Sequence, residues 1–286
     1  MIIVTDHRCT EYHQPGHPER PQRVSRTAER LRAQTRLKLY WGEPAPVEEA
    51  QLLRAHAEHH LSRLGEPLDF DADTAALPGI KAHALRSVGG ALRALKEATV
   101  GQAAFSLLRP PGHHATMERA MGFCYLNSVA VAALEARARG TPKVAVFDFD
   151  VHHGNGTEDI LLDVEGCAYF SVHQFPAYPG TGAESYGNAH NHPVRPNAAR
   201  EEYRRALSRA LAELQRYEPA LIGVSAGFDA YRGDPLAAEP LEREDYHWLG
   251  DTLRSYGVPV FSVLEGGYSD DLPDLVLAYL LGLGGL

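Results

Sequence analysis

Cysteine is scarce in this chain of 286 residues. Cys9, Cys124 and Cys167 are odd in number, far apart and form no Cys-x-x-Cys pair, which excludes a disulfide framework and a thiolate metal site. A reducing cytoplasm is the expected compartment. Positive charge is short as well: 28 Lys and Arg against 37 Asp and Glu leave a formal charge of -9. Phosphate binding wants a basic face, so nucleic acid is excluded as a partner, whereas a cationic substrate is attracted. Long apolar runs are missing too. Leu275–Leu286 has about half the length needed to span a bilayer and contains three glycines, so it is expected as a buried final helix and no membrane segment is expected. The opening Met-Ile-Ile-Val-Thr lacks the length and basic lead-in of a secretory leader and is expected as a strand.

What is present suits a globular enzyme. Hydrophobic residues at 44% allow a sizeable core, and no stretch has the composition of disorder. The length exceeds the commonest domain size, yet one α/β unit often reaches it, so a single domain over 1–286 is expected. Short runs of Val, Ile and aromatic residues alternate with longer Ala/Leu/Arg stretches of helical period. They predict strands at 1–5, 103–108, 143–148, 167–172, 220–225 and 258–264, with helices near 21–36, 48–63, 80–99, 123–139, 198–217 and 242–255. Such alternation predicts a central, mostly parallel β-sheet flanked by helices.

Chemically unusual residues come just after the predicted strand ends. Arg109-Pro-Pro-Gly-His113-His114 comes after 103–108, and Asp148-Phe-Asp150-Val-His152-His153-Gly154-Asn155-Gly156 comes out of 143–148. His173 comes after 167–172, Ala-Gly-Phe-Asp229 after 220–225, and Glu265-Gly-Gly-Tyr268 after 258–264. In an open parallel sheet the ligand crevice lies beyond the carboxyl ends of the strands, so these loops deliver polar groups to one rim.

Asp150 and His152 are two apart in chain leaving a strand, so carboxylate and imidazole point the same way and can share one ion. Asp229 offers a third ligand, and three N/O ligands leave open positions, as at catalytic zinc. Taken singly, Asp150-x-His152 also fits a capped turn and Asp229 a turn before Gly233-Asp234-Pro235. A Pro-Pro-Gly turn exposes the residues next in the chain, so His113 and His114 are placed for proton transfer rather than core packing. Tyr268, behind two glycines, can bring a phenol to a developing oxyanion, or can simply pack. Gly122-Phe123 and Tyr178-Pro-Gly offer aromatic walls for an aliphatic linker, or ordinary core.

Together Pro110-Pro-Gly-His-His114, Asp148 to Gly156, Gly227-Phe-Asp229 and Glu265-Gly-Gly-Tyr268 resemble the histone deacetylase and acetylpolyamine amidohydrolase family, within the arginase-deacetylase superfamily. His17-Pro-Glu-Arg-Pro-Gln-Arg23 and Phe175 to Gly182 extend the match over most of the chain. The resemblance implies an arginase-like α/β fold, one zinc held by Asp150, His152 and Asp229, His114 as general base beside His113, and Tyr268 as catalytic tyrosine. It implies that Asp148 orients His113. Asn155, standing where many relatives carry aspartate, is similar to the class II branch and is expected to make His114 less basic. By the same resemblance Gly122, Phe123 and Tyr178 line the acyl tunnel, Asp73 grips substrate at the rim, Leu236 stands at the gate, and Arg23 lies near an acetate exit. A structural potassium ion is implied at Asp148, Ser171, Val172 and the main-chain oxygens of Asp150 and His152.

The implied reaction releases acetate from an acetylated lysine or a small acetylated amine. A two-metal ureohydrolase would need acidic residues where Gly154 and Tyr231 stand. An acetylpolyamine amidohydrolase is a closer alternative, although Leu236 puts no acid at the gate. A silent acyl-lysine-binding module would have lost Tyr268 or a zinc ligand, and neither is lost.

Overall fold

The computed structural model describes residues 1–286. Eight strands form one sheet: β1 (Ile2–Val4), β2 (Tyr40–Gly42), β3 (Ala104–Ser106), β4 (Val144–Asp148), β5 (Cys167–Gln174), β6 (Ala189–Val194), β7 (Leu221–Ala226) and β8 (Val260–Leu264). Their order is β2-β1-β3-β8-β7-β4-β5-β6, and every neighbouring pair is parallel. The expected mostly parallel sheet is therefore wholly parallel.

Both faces are covered. Helices α1 (Gln22–Ala33), α7 (Arg200–Tyr217), α8 (Arg243–Ser255) and α9 (Leu272–Leu283) share one apolar layer with Ala145 and Phe147 of β4. Short α2 (Glu49–Leu52), α3 (Glu58–Arg63) and α6 (Asn155–Leu161), with long α4 (Ile80–Thr99) and α5 (Ser128–Ala138), share the other with Val144 and Val146. Alternate residues of one strand thus feed opposite cores, which is why β4 is apolar up to Asp148 at its end. The final helix is α9, buried from Leu272 to Leu283. No helix is long and apolar enough to cross a membrane.

Several boundaries differ from the sequence expectation. The stretch 48–63 is two short helices, broken around Leu53–Ala57. The helix expected from 123 begins at Ser128, because Phe123 has φ 69° and Asn127 caps the helix by accepting the Ala130 N–H. The helix expected to 36 ends at Ala33. Strands β2 and β6 and helix α6 went unpredicted.

Candidate active site

Four adjacent strands, β3, β8, β7 and β4, end at one rim and deliver His113 and His114, Glu265 and Tyr268, Asp229, and Asp150 and His152 there. His173, expected after a strand end, instead lies within β5, buried, with its Nδ1 2.8 Å from Ser171 Oγ. Asp150 and His152 leave β4, and Asp229 leaves β7. Ligand atoms of the three lie within 4.8 Å of one another. His152 Nδ1 is 3.2 Å from both Asp150 Oδ1 and Asp229 Oδ2. Both carboxylates are completely buried. Backbone amides of His152, Gly266 and Val151 donate to them at 2.7–2.9 Å, but no Lys or Arg does. Glycine at 266 is required for this packing: a Cβ there would press into both carboxylates.

Such a group is electrostatically unfinished. Burial and the neighbouring Asp150 charge push Asp229 up to about 7. Against the cost of burial, hydrogen bonds to Asp150 and Asp229 push His152 up to about 10. Two desolvated carboxylates converge on one imidazole with no Lys or Arg among them, and their hard oxygen and borderline nitrogen donors suit zinc. The residues fit the metal on that ground.

The tandem histidines lie beside this group, with ring centroids 4.0 Å apart but different partners. His113 Nδ1–H donates to Asp148 Oδ2 at 3.1 Å. Although burial opposes it, the charges of Asp150 and Asp148 push His113 up to about 10. His114 Nδ1–H donates to Asn155 Oδ1 at 2.8 Å, while the Asn155 amide nitrogen turns to Met121 Sδ. Burial and the positive His113 and His152 hold His114 well below its ordinary value. His114 is thus a neutral ring with its Nε2 lone pair free.

Tyr268, 8% exposed, stays a phenol because burial raises its pKa well above the ordinary value. The Arg23 guanidinium sits 4.7 Å from the centre of its ring, donates to the carbonyls of Gly267 and Glu265, and pairs with buried Glu19. Arg23 therefore lies beneath Tyr268, bound into the floor.

A cavity of about 390 Å³ opens above these groups, lined by His114, Phe123, His152, Tyr178, Leu236 and Tyr268, with His17, Pro18, Asp73 and Gly122 around it. Phe123 meets Tyr268 edge-on at 5.9 Å, and Tyr178 meets His114 edge-on at 5.0 Å. A Cβ on Gly122 would lie 2.6 Å from the His114 ring and 2.9 Å from Tyr178, so only glycine leaves the passage open. Asp73 is exposed at the rim, where its carbonyl accepts from His17 Nε2–H at 3.3 Å. Asp148 and Ser171 pair in register on β4 and β5, with Val172 one residue on.

Residues 17–282 match the histone deacetylase domain. The chain belongs to the histone deacetylase family. A probable deacetylase of Methanothermobacter thermautotrophicus is 36% identical over 100% of this chain and 91% of its own length. Among solved structures, the HD domain of HDA15 superposes with a TM-score of 0.91 at 30% identity, covering 99% of this chain and 88% of that one. An acetylpolyamine aminohydrolase from Burkholderia pseudomallei gives 0.87 at 27% identity, covering 100% and 99%. Deacetylase or amidohydrolase chemistry comes with membership of this family.

Two residues named in the sequence only as parts of motifs have roles that the sequence reading missed. Glu265, directly after β8, accepts the backbone N–H groups of Gly112 and His113 at 2.7 and 3.2 Å and so fixes the histidine turn. Asp234 accepts backbone N–H groups on either side of the cavity. Their positions after strand ends were the available signal, but their partners are backbone groups of other loops.

Proposed function

We propose that the protein is a zinc-dependent deacylase that hydrolyses the amide of an N-acetyl lysine side chain, or a related acetylated amine, to acetate and free amine. One observation carries this reading: the buried Asp150, His152 and Asp229 group lies at the base of a cavity whose walls also hold a neutral histidine and a protonated tyrosine. Zinc bound by those three side chains supplies Lewis acidity, drawing electron density from an amide carbonyl and making a nearby water more acidic.

The chain's own residues account for the remaining steps. Aromatic walls at Phe123 and Tyr178 accept the aliphatic linker and exclude water, while Asp73 and Leu236 meet what lies outside. His114 takes the proton of the attacking water at Nε2, its ring held by Asn155. His113, paired with Asp148, supplies positive charge beside it. The Tyr268 O–H donates to the oxyanion that develops on the former carbonyl oxygen. His114 then returns its proton to the departing amine, and acetate leaves past Arg23. A potassium ion at Asp148, Ser171, Val172 and the carbonyls of Asp150 and His152 would steady the loop that carries the zinc ligands. The cytoplasm suits the three free, buried thiols.

An acetylpolyamine substrate is the second reading, favoured by the exposed carboxylates of Asp71 and Asp73 at the rim and opposed by apolar, half-exposed Leu236. The test is acetate release by zinc-loaded protein from an acetyl-lysine peptide and from acetylputrescine, each repeated after chelation. Chelator-sensitive preference for the peptide supports the first reading, and preference for acetylputrescine the second. Release from neither, with zinc bound and a hydroxamate held, points to a silent binding module.

A further inference from the structure

Tyr268 leaves β8 on a turn that only glycine can make. Gly267 has φ +114°, and a Cβ there would lie 2.9 Å from Phe228 Cβ. Consecutive glycines give a backbone little stiffness of its own, so the phenol's position must be set from outside the turn. Asp234, in the loop between β7 and α8, does this from one side. Its Oδ2 accepts the Tyr268 N–H at 2.6 Å and the Ser269 N–H at 3.2 Å. Its Oδ1 accepts the Leu236 N–H at 3.0 Å. With Asp234 only 6% exposed, bulk water does not compete for these bonds. Arg23 grips the same turn from below through the Gly267 carbonyl.

We infer that Asp234 is a positioning residue for Tyr268, one carboxylate that locks the tyrosine turn to the cavity-rim segment at Leu236. The inference rests on the deacylase reading, in which Tyr268 steadies the oxyanion. The acceptor's chemistry is what matters. A carboxylate accepts on both oxygens, whereas an amide of equal size has one accepting oxygen and one donating nitrogen. In Asp234→Asn, whichever way the amide turns, an N–H faces an N–H at either Tyr268 or Leu236. The charge-assisted strength of the remaining bonds is lost as well.

A double-mutant cycle in kcat tests it, using Asp234→Asn, Tyr268→Phe and the pair, with whichever acetylated amine gives acetate release and with zinc content matched. Removing one oxyanion donor outright costs about 10²–10³-fold in kcat. Displacing the donor should therefore cost about tenfold in Asp234→Asn, with KM little changed. In the Tyr268→Phe background the same substitution should cost less than about twofold, because the group it positions is already gone. Equal loss in both backgrounds overturns the inference, since a merely structural role ignores the phenol. An unchanged rate in Tyr268→Phe alone is a different failure: it removes the tyrosine from the proposed mechanism and the inference with it. Should Asp234→Asn not fold, hydrogen exchange of the parent protein decides. Tyr268 and Ser269 amides protected as strongly as those of α9 support the inference, and exchange at free-loop rates overturns it.

Discussion

Glu239 lies in the loop that carries Asp234 and Leu236, 3% exposed, and neither of its carboxylate oxygens meets a hydrogen-bond donor. Burial, aided by the Glu202 charge and opposed by Arg195, pushes its carboxyl from 4.5 up to about 8. Each tenfold change in proton affinity is worth about 1.4 kcal/mol, so the charged form is disfavoured by at most about 5 kcal/mol. Glu202 and Arg195 pair with each other at the surface, where water screens them. Those two charges oppose each other, so burial sets the effect, and with water reaching part of the loop about 2 kcal/mol, inside that upper bound, is expected. Proton counts set the sign. Between pH 4.5 and about 8 the folded protein holds a proton on Glu239 that the unfolded chain has released, so stability falls as pH rises through that window and is unaffected below it. Glu239→Gln keeps the shape and removes the titration. The variant should match the parent near pH 4.5 and exceed it by about 2 kcal/mol near pH 8, or about 5 °C in Tm for a chain of this size. Thermal unfolding at the two pH values, with zinc held constant, reads the difference. A Tm gain of equal size at both, or none at the higher, refutes the reasoning.

Three further substitutions probe the site. Tyr268→Phe should retain zinc and lose kcat by about 10²–10³-fold in acetate release, and an unchanged rate would take the phenol out of the mechanism. Asp229→Ala should lose the metal, because it leaves two ligands where three converge; full zinc content by elemental analysis breaks the ligand assignment. Asn155→Asp should raise the pKa of His114, since a carboxylate favours the imidazolium that an amide only orients. With neutral His114 as the base of the proposed mechanism, the acid limb of the pH–kcat/KM profile should move upward by about one pH unit, and an unmoved limb separates Asn155 from His114 basicity.

Central strands were legible in the sequence because β4, β7 and β8 are largely apolar, with only Asp148, Ser225 and Ser262 interrupting, and the loops after them and after β3 carry most of the polar groups of the site. The edge strands were not. Strand β2 is three residues long, and β6 reads Ala-His-Asn-His-Pro-Val, with proline and polar residues that the half-solvated edge of a sheet tolerates. Helix α6 was hidden because it starts inside the Asp148–Gly156 motif, between Gly154 and Gly156, and runs only seven residues. The proposed ligands and the tandem histidines were readable as residue types at strand ends. The roles of Glu265 and Asp234 were not, since each is defined by backbone N–H groups on another loop, and such partners leave no local pattern.

The same packing bears on the proposed one-zinc reading against a two-metal one. In a two-metal ureohydrolase an acid would stand at position 154, but a Cβ on Gly154 would press into the Asp148 carboxylate and lie 3.1 Å from His113 Nδ1. The His113–Asp148 hydrogen bond and an acid at 154 therefore exclude one another. Tyr231, at the other position, is turned away and gives its O–H to Asp271 at 3.0 Å. Around Gly154 the side chains form one hydrogen-bonded group: Tyr169 and His113 donate to Asp148, and Glu265 holds the backbone of His113. Buried charge of this density costs stability unless it is paired or used. A module that only bound an acyl chain would need the aromatic walls and not this group. The presence of His113, Asp148 and Glu265 together, each more than nine-tenths buried, is therefore better explained by a charge placed beside the proton-transferring His114 of the proposed mechanism than by recognition alone.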